Sequence, residues 1–200
     1  MTEIVVFIPY YLPLNRQPPL KKVLFPRFSS PLPSLSREKG NWFLMRVEVS
    51  LPGFSAAHFI AGHEKCDRLH GHNWSVRVAV SGDPDERGIV IDFDELEEIL
   101  SEVCREFDHR VLLPGKNRQI SLEVRGGSCF LSLGERTYQF PAQDVVILPV
   151  ENVTAEELAR LVLEKIASRL RPFKNVTGVE VWVEESPGKR ASASLVLTEK

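Results

Sequence analysis

From His70 to Val80 the chain alternates strictly, with His70, His72, Trp74, Val76, Val78 and Val80 on one set of positions and Gly71, Asn73, Ser75, Arg77 and Ala79 on the other. Side chains at i and i+2 of a strand share a face. The period of two therefore predicts a half-buried β-strand whose apolar stripe ends in two imidazoles side by side. Phe54, Ala56 and His58 share a face of a separate short segment, and an antiparallel neighbour would carry His58 to the His70 and His72 pair. A catalytic zinc takes about three protein ligands and keeps one position open, and three histidines are an attested set. A lone His-x-His is equally well read as two hydrogen-bonded histidines. The third histidine and the nearby thiol of Cys66 favour zinc.

At 200 residues and 43% hydrophobic content, the chain is expected to build one core and one catalytic domain. A net charge of -2 gives no basic field to recommend nucleic acid. Cys66, Cys104 and Cys129 are odd in number and irregularly spaced, which suggests neither a disulfide framework nor a thiolate zinc site and fits a reducing cytoplasm. Residues 1 to 44 hold seven of the fourteen prolines without sustained periodicity, so they are expected to be an irregular extension. Its apolar start, Met1 to Leu14, carries Glu3 and two prolines, which makes it a poor signal peptide and too short for a bilayer. Met45 opens the first clean alternation (Met45, Val47, Val49 against Arg46, Glu48, Ser50). The catalytic domain is therefore expected over 45–200, with the extension dispensable or Met45 the true start.

The rest of the domain reads as helix, insertion, helix and two strands. Asp92 with Glu95 is a capping-box pattern, ahead of Leu96, Ile99, Leu100, Val103 and Phe107 at helical spacing. Cys104 falls inside that helix with no chemistry expected of it. Thr154, with Glu157 three residues on, opens a second helix through Leu158, Leu161, Val162, Ile166 and Leu170. Between the helices, an insertion at about 117–150 carries alternating segments around Gly126-Gly127, the pattern of one β-hairpin or two.

Val179, Val181, Val183 and Glu185 then lie on one face of a strand. A carboxylate ending an apolar stripe is costly unless paired, and a ligand with a guanidine-like edge would satisfy it through two hydrogen bonds. Alternatively the strand ends at Val183 and Glu185 is solvated. The adjacent Asp108 and His109 are able to act as a general acid or base, or His109 simply faces a helix C-terminus. Cys66, among Glu64, Lys65, Asp67 and Arg68, is a plausible base or nucleophile if a metal and an imidazole draw its thiol toward thiolate.

Six ordered motifs carry a resemblance: Phe54-Ser55-Ala56-Ala57-His58, Cys66-x-x-x-His70-Gly71-His72-Asn73, Gly88-Ile89-Val90-Ile91-Asp92-Phe93, Asp108-His109, Thr154-x-Glu156-x-Leu158-Ala159 and Glu185-Ser186. From about Met45 onward the chain resembles the 6-pyruvoyltetrahydropterin and 6-carboxytetrahydropterin synthase family. The resemblance implies an α+β tunnelling fold, a four-stranded antiparallel sheet with two helices on one face. Three subunits would close a barrel and two trimers would stack as a homo-hexamer. It implies zinc on His58, His70 and His72, Cys66 as the catalytic cysteine, and Asp108 with His109 as proton-transfer partners from a neighbouring subunit. Glu185 would anchor the pterin ring, and Thr154 and Glu156 fall on the substrate-binding segment.

The implied activity is a zinc-dependent lyase acting on 7,8-dihydroneopterin triphosphate to give 6-carboxytetrahydropterin for deazapurine synthesis. The alternatives are the 6-pyruvoyl synthase and a non-catalytic zinc or pterin-binding protein. No nucleic acid or membrane partner is implied. The chain departs from the family pattern in four places. Glu151-Asn152-Val153 stands where a proline usually precedes the threonine, which leaves Thr154 open to being only a cap. Glu157 stands for a common asparagine, Trp74 for a tyrosine, and the insertion is longer than the family minimum. Cys66, where the folate-pathway branch has glutamate, counts against that branch.

Overall fold

The structure is a computed structural model that describes residues 36–38, 41–43 and 45–197. Two short strands, β1 (Ser36–Glu38) and β2 (Asn41–Phe43), form an antiparallel pair inside the segment expected to be irregular; the expectations for residues 1–35 lie outside the described residues. The domain continues with β3 (Met45–His58), β4 (His70–Gly82), α1 (Phe93–Arg105), β5 (Arg110–Pro114), β6 (Ile120–Arg125), β7 (Ser128–Leu133), β8 (Arg136–Pro141), β9 (Val145–Leu148), α2 (Ala155–Leu170), β10 (Val176–Ser186) and β11 (Lys189–Val196).

The expected antiparallel sheet is present in the order β11-β10-β4-β3, and the parallel strands β5 and β9 extend it past β3 to six strands. Those two additions were not expected. Each carries a short apolar run, which periodicity does not separate from buried helix.

His58 does not sit on a separate segment: Met45 to His58 is one strand of 14 residues. Its pairing with β4 shifts between Leu51 opposite Val76 and Phe54 opposite Trp74. This bulge changes the parity of the strand, so Val47, Val49 and Leu51 before it and Phe54 and Ala56 after it all join the same core, and His58 is buried beyond them. Gly53 makes the bulge possible, with φ of 81° and a position where a Cβ would lie 2.1 Å from the carbonyl oxygen of Trp74.

Both helices cover the face of the sheet that carries Trp74, Val76, Val78, Val80, Val179, Val181 and Val183, where Leu96, Leu100 and Val103 of α1 meet Leu158, Val162 and Ile166 of α2. Asp92 caps α1 by accepting the Asp94 N–H, and Thr154 caps α2 by accepting the Glu157 N–H. The insertion is a three-stranded meander, β6-β7-β8, which is two hairpins sharing a strand. Gly126 and Gly127, both with positive φ, form the two-residue turn between β6 and β7.

Candidate active site

The register of β3 on β4 sets His58 directly opposite His70, with Ala56 opposite His72. Three rings thereby converge, with centroids 4.5 Å apart for His58 and His70, 5.0 Å for His70 and His72, and 5.3 Å for His58 and His72. The buried indole of Trp74 meets His58 and His72 edge-on.

Backbone carbonyls settle which nitrogen of two rings is free. A carbonyl only accepts, so Nδ1–H of His58 donates to Val153 at 2.7 Å and Nδ1–H of His70 donates to Arg68 at 2.7 Å. In a neutral ring so held, Nε2 carries the lone pair. Nε2 of His58 and of His72 are buried without a hydrogen-bond partner. Burial also pulls the His58 pKa down to about 4, against a smaller opposing effect of its bond to Val153, and burial lowers His72 despite Glu185 nearby. Both imidazoles are therefore neutral near pH 7, the protonation state that a metal ligand requires.

Glu185 completes the cluster. One of its oxygens lies 3.0 Å from Nε2 of His72 and 3.7 Å from Nε2 of His58, and ligand atoms of His58, His70, His72 and Glu185 all fall within 4.8 Å of one another. The carboxylate reaches that point because β10 bulges there: Glu184 pairs with Arg190 and Ser186 with Lys189, leaving Glu185 extra. Three imidazoles and one carboxylate, with the buried Nε2 of His58 lacking a hydrogen-bond partner, form a donor set that suits zinc.

The other expected site residues are placed as follows. Cys66 is half-buried on the loop between β3 and β4 and is not among the clustered ligand atoms. Cys104 is buried, and burial pushes its thiol up to about 12. Asp108 and His109 are joined by a 2.8 Å Nδ1–Oδ2 contact. The pair is fastened to β3, where Asp108 accepts the Ser55 N–H at 2.8 Å and the His109 N–H donates to the Ser55 carbonyl at 2.7 Å. The Ser55 N–H, and after it the His109 ring, hold the Asp108 carboxyl below its ordinary pKa.

His109 is the one non-glycine residue with positive φ, 55°, among those described, a strained conformation of the kind that concentrates at functional sites. With Ser55, His72, Asn73 and Arg110 it lines an open cavity of about 550 Å³. The hydroxyl of Thr154 is engaged by its helix cap, and Glu156 is exposed in the first turn of α2. Neither belongs to the cluster.

One further contributor to the cluster is a backbone group. The carbonyl of Val153 orients His58 and carries no side-chain signature. In the segment before Thr154, Asn152 accepts the Ala61 N–H at 2.9 Å.

The family model described as 6-pyruvoyl tetrahydropterin synthase matches residues 48–195, from within β3 to within β11. The chain belongs to this family. It is 34% identical over 141 residues, 69% of this chain and 86% of the relative, to a Methanocaldococcus jannaschii protein provisionally named 6-carboxy-5,6,7,8-tetrahydropterin synthase. It is 30% identical over 119 residues, 56% of this chain and 76% of the relative, to the 6-carboxy-5,6,7,8-tetrahydropterin synthase of Haemophilus influenzae. The crystal structure of 6-pyruvoyl tetrahydropterin synthase from Plasmodium vivax superposes with a TM-score of 0.73 at 29% identity, covering 78% of this chain and 99% of that one. The fold is thus that of the tetrahydropterin synthases, and the protein is an enzyme of that lyase type. No described helix is long and apolar enough to cross a membrane.

Proposed function

We propose that this protein is a zinc-dependent lyase converting 7,8-dihydroneopterin triphosphate and one water to 6-carboxy-5,6,7,8-tetrahydropterin, with release of triphosphate and acetaldehyde. The observation that carries the reading is the convergence of His58, His70, His72 and Glu185 in a chain whose relatives include enzymes named for that product. His58, His70 and His72 would hold the metal. Zinc, when bound, supplies a Lewis acid that lowers the pKa of the substrate's side-chain hydroxyls and polarises the developing carbonyl.

The chain's own groups do the rest. Cys66 takes a proton from the substrate side chain. His109, its Nδ1–H directed at Asp108, moves protons at Nε2 and is held in that tautomer by the carboxylate. Glu185 accepts the 2-amino and N3 hydrogens of the pterin ring as a two-point anchor, and Thr154 and Glu156 lie at the edge of the substrate site. The exposed side chain of His109 suits a pair that serves a neighbouring subunit's site in a homo-hexamer of stacked trimers. The three unpaired cysteines accord with a cytoplasmic enzyme.

A second reading, triphosphate elimination to the 6-pyruvoyl product, is favoured by the solved structures of that name. Incubating the zinc-loaded protein with 7,8-dihydroneopterin triphosphate and identifying products by mass spectrometry separates the two. A 6-carboxy product with acetaldehyde is expected. A 6-pyruvoyl product without acetaldehyde replaces the first reading with the second, and no turnover leaves a zinc or pterin-binding protein.

A further inference from the structure

The meander β6-β7-β8 grips one loop of the catalytic domain, the loop over residues 59–69 that carries Cys66. Phe59 and Ala61 of the loop are buried in a small second core with Cys129, Leu131 and Leu133 of β7, and Leu69 packs against it. The polar part of the grip is Arg136, the first residue of β8. Its Nη1 donates to the backbone carbonyl of Asp67 at 2.6 Å, and its Nη2 pairs with the Asp67 carboxylate.

Asp67 is the neighbour of Cys66, and the loop has little freedom left around the thiol. The Cys66 N–H donates to Nδ1 of His63 at 3.1 Å, its carbonyl accepts the Ile60 N–H at 2.8 Å, and the Asp67 N–H donates to the His63 carbonyl at 2.9 Å. Arg136 and Asp67 are 37% and 29% exposed, and an ion pair so accessible to water adds little to stability. A planar guanidinium that bonds a carbonyl and a carboxylate of the same residue nevertheless defines position closely. The grip therefore matters more for where Cys66 sits than for whether the chain folds.

We infer that Arg136 is a positioning residue for Cys66, and that the insertion serves the reaction by holding the Cys66 loop in register with the three histidines. The inference rests on the proposed role of Cys66 as the group that takes the substrate proton.

The test uses the full zinc-loaded chain with Arg136→Ala, the conservative Arg136→Lys, and Arg125→Ala as a control on the same sheet. Misplacing a reacting group by about an ångström costs roughly a hundredfold in rate. Arg136→Ala is accordingly expected to lower kcat about tenfold to a hundredfold, with KM, zinc content and melting temperature kept. Iodoacetamide alkylation of Cys66, the one cysteine of the three that is not buried, is expected to accelerate several-fold in this variant. Arg136→Lys recovers part of kcat, and Arg125→Ala matches the parent.

Parent-like kcat and alkylation in Arg136→Ala overturn the inference. So does a joint fall in zinc content and melting temperature, which marks a structural role. If the parent chain turns nothing over, the lyase reading fails while the alkylation rates still decide whether Arg136 positions Cys66.

Discussion

His58 is the one fully buried polar side chain among the described residues, and its chemistry follows from that burial. Its pKa is near 4 in the fold and about 6.5 in the unfolded chain. Between those values the unfolded state binds the proton and the folded state does not. Stability of the metal-free protein is therefore expected to fall as pH drops from 6.5 to 4, by about 3 kcal/mol at most from this group. Denaturant titrations of chelated protein across that range check the slope, and His58→Asn should remove this part of it. Glu185 poses a different question, because its position suits either a fourth zinc ligand or an anchor for the pterin ring. With three histidines already present, the anchor role predicts that Glu185→Gln keeps its zinc while KM for the pterin substrate rises about tenfold to a hundredfold, the worth of a charge-assisted hydrogen bond. Metal analysis beside steady-state kinetics decides, since loss of zinc would make Glu185 a ligand.

At the scale of elements, the bulge in β3 controls whether His58 reaches the site at all. Removing one residue's worth of offset would turn His58 to the opposite face. Gly53→Ala forces a side chain into left-handed backbone and against the Trp74 carbonyl, a combined cost of about 2–5 kcal/mol. The variant is expected to melt at lower temperature and to bind zinc substoichiometrically, as calorimetry and metal analysis would report. The helices and the β4 strand were legible because each has a sustained period and, for the helices, a cap. β5 and β9 were not, because four apolar residues in a row carry no period, and the pairing of β5 with β3 and of β9 with β5 depends on where α1 and the insertion deliver them.

For the whole molecule, the proposed assembly and the proposed dispensability of residues 1–44 are independent of each other. A chain beginning at Met45 is expected to fold with the same melting temperature and to turn over the same substrate, because among the described residues the core and the His58, His70, His72 and Glu185 cluster draw on residues after Met45. Failure to fold would make the extension part of the domain. Light scattering on the eluting peak is expected to give the mass of six chains of 22.6 kDa each. A monomer peak with full activity would remove the inter-subunit role of Asp108 and His109.

The three clustered histidines, the carboxylate at the end of the β10 stripe and both helix caps were readable because each is a side-chain type at a fixed local spacing. Spacing along the chain is a one-dimensional property, and strands and helices convert it directly into shared faces. What only the tertiary structure decided is where separate segments meet: the bulge that brings His58 opposite His70, the Val153 carbonyl that orients His58, the placing of a Glu185 oxygen among the imidazoles, and the hold of Arg136 on Asp67. These contacts join residues up to 127 positions apart, as for His58 and Glu185. They depend on backbone carbonyls and strand register, which the identity of a residue does not encode by itself.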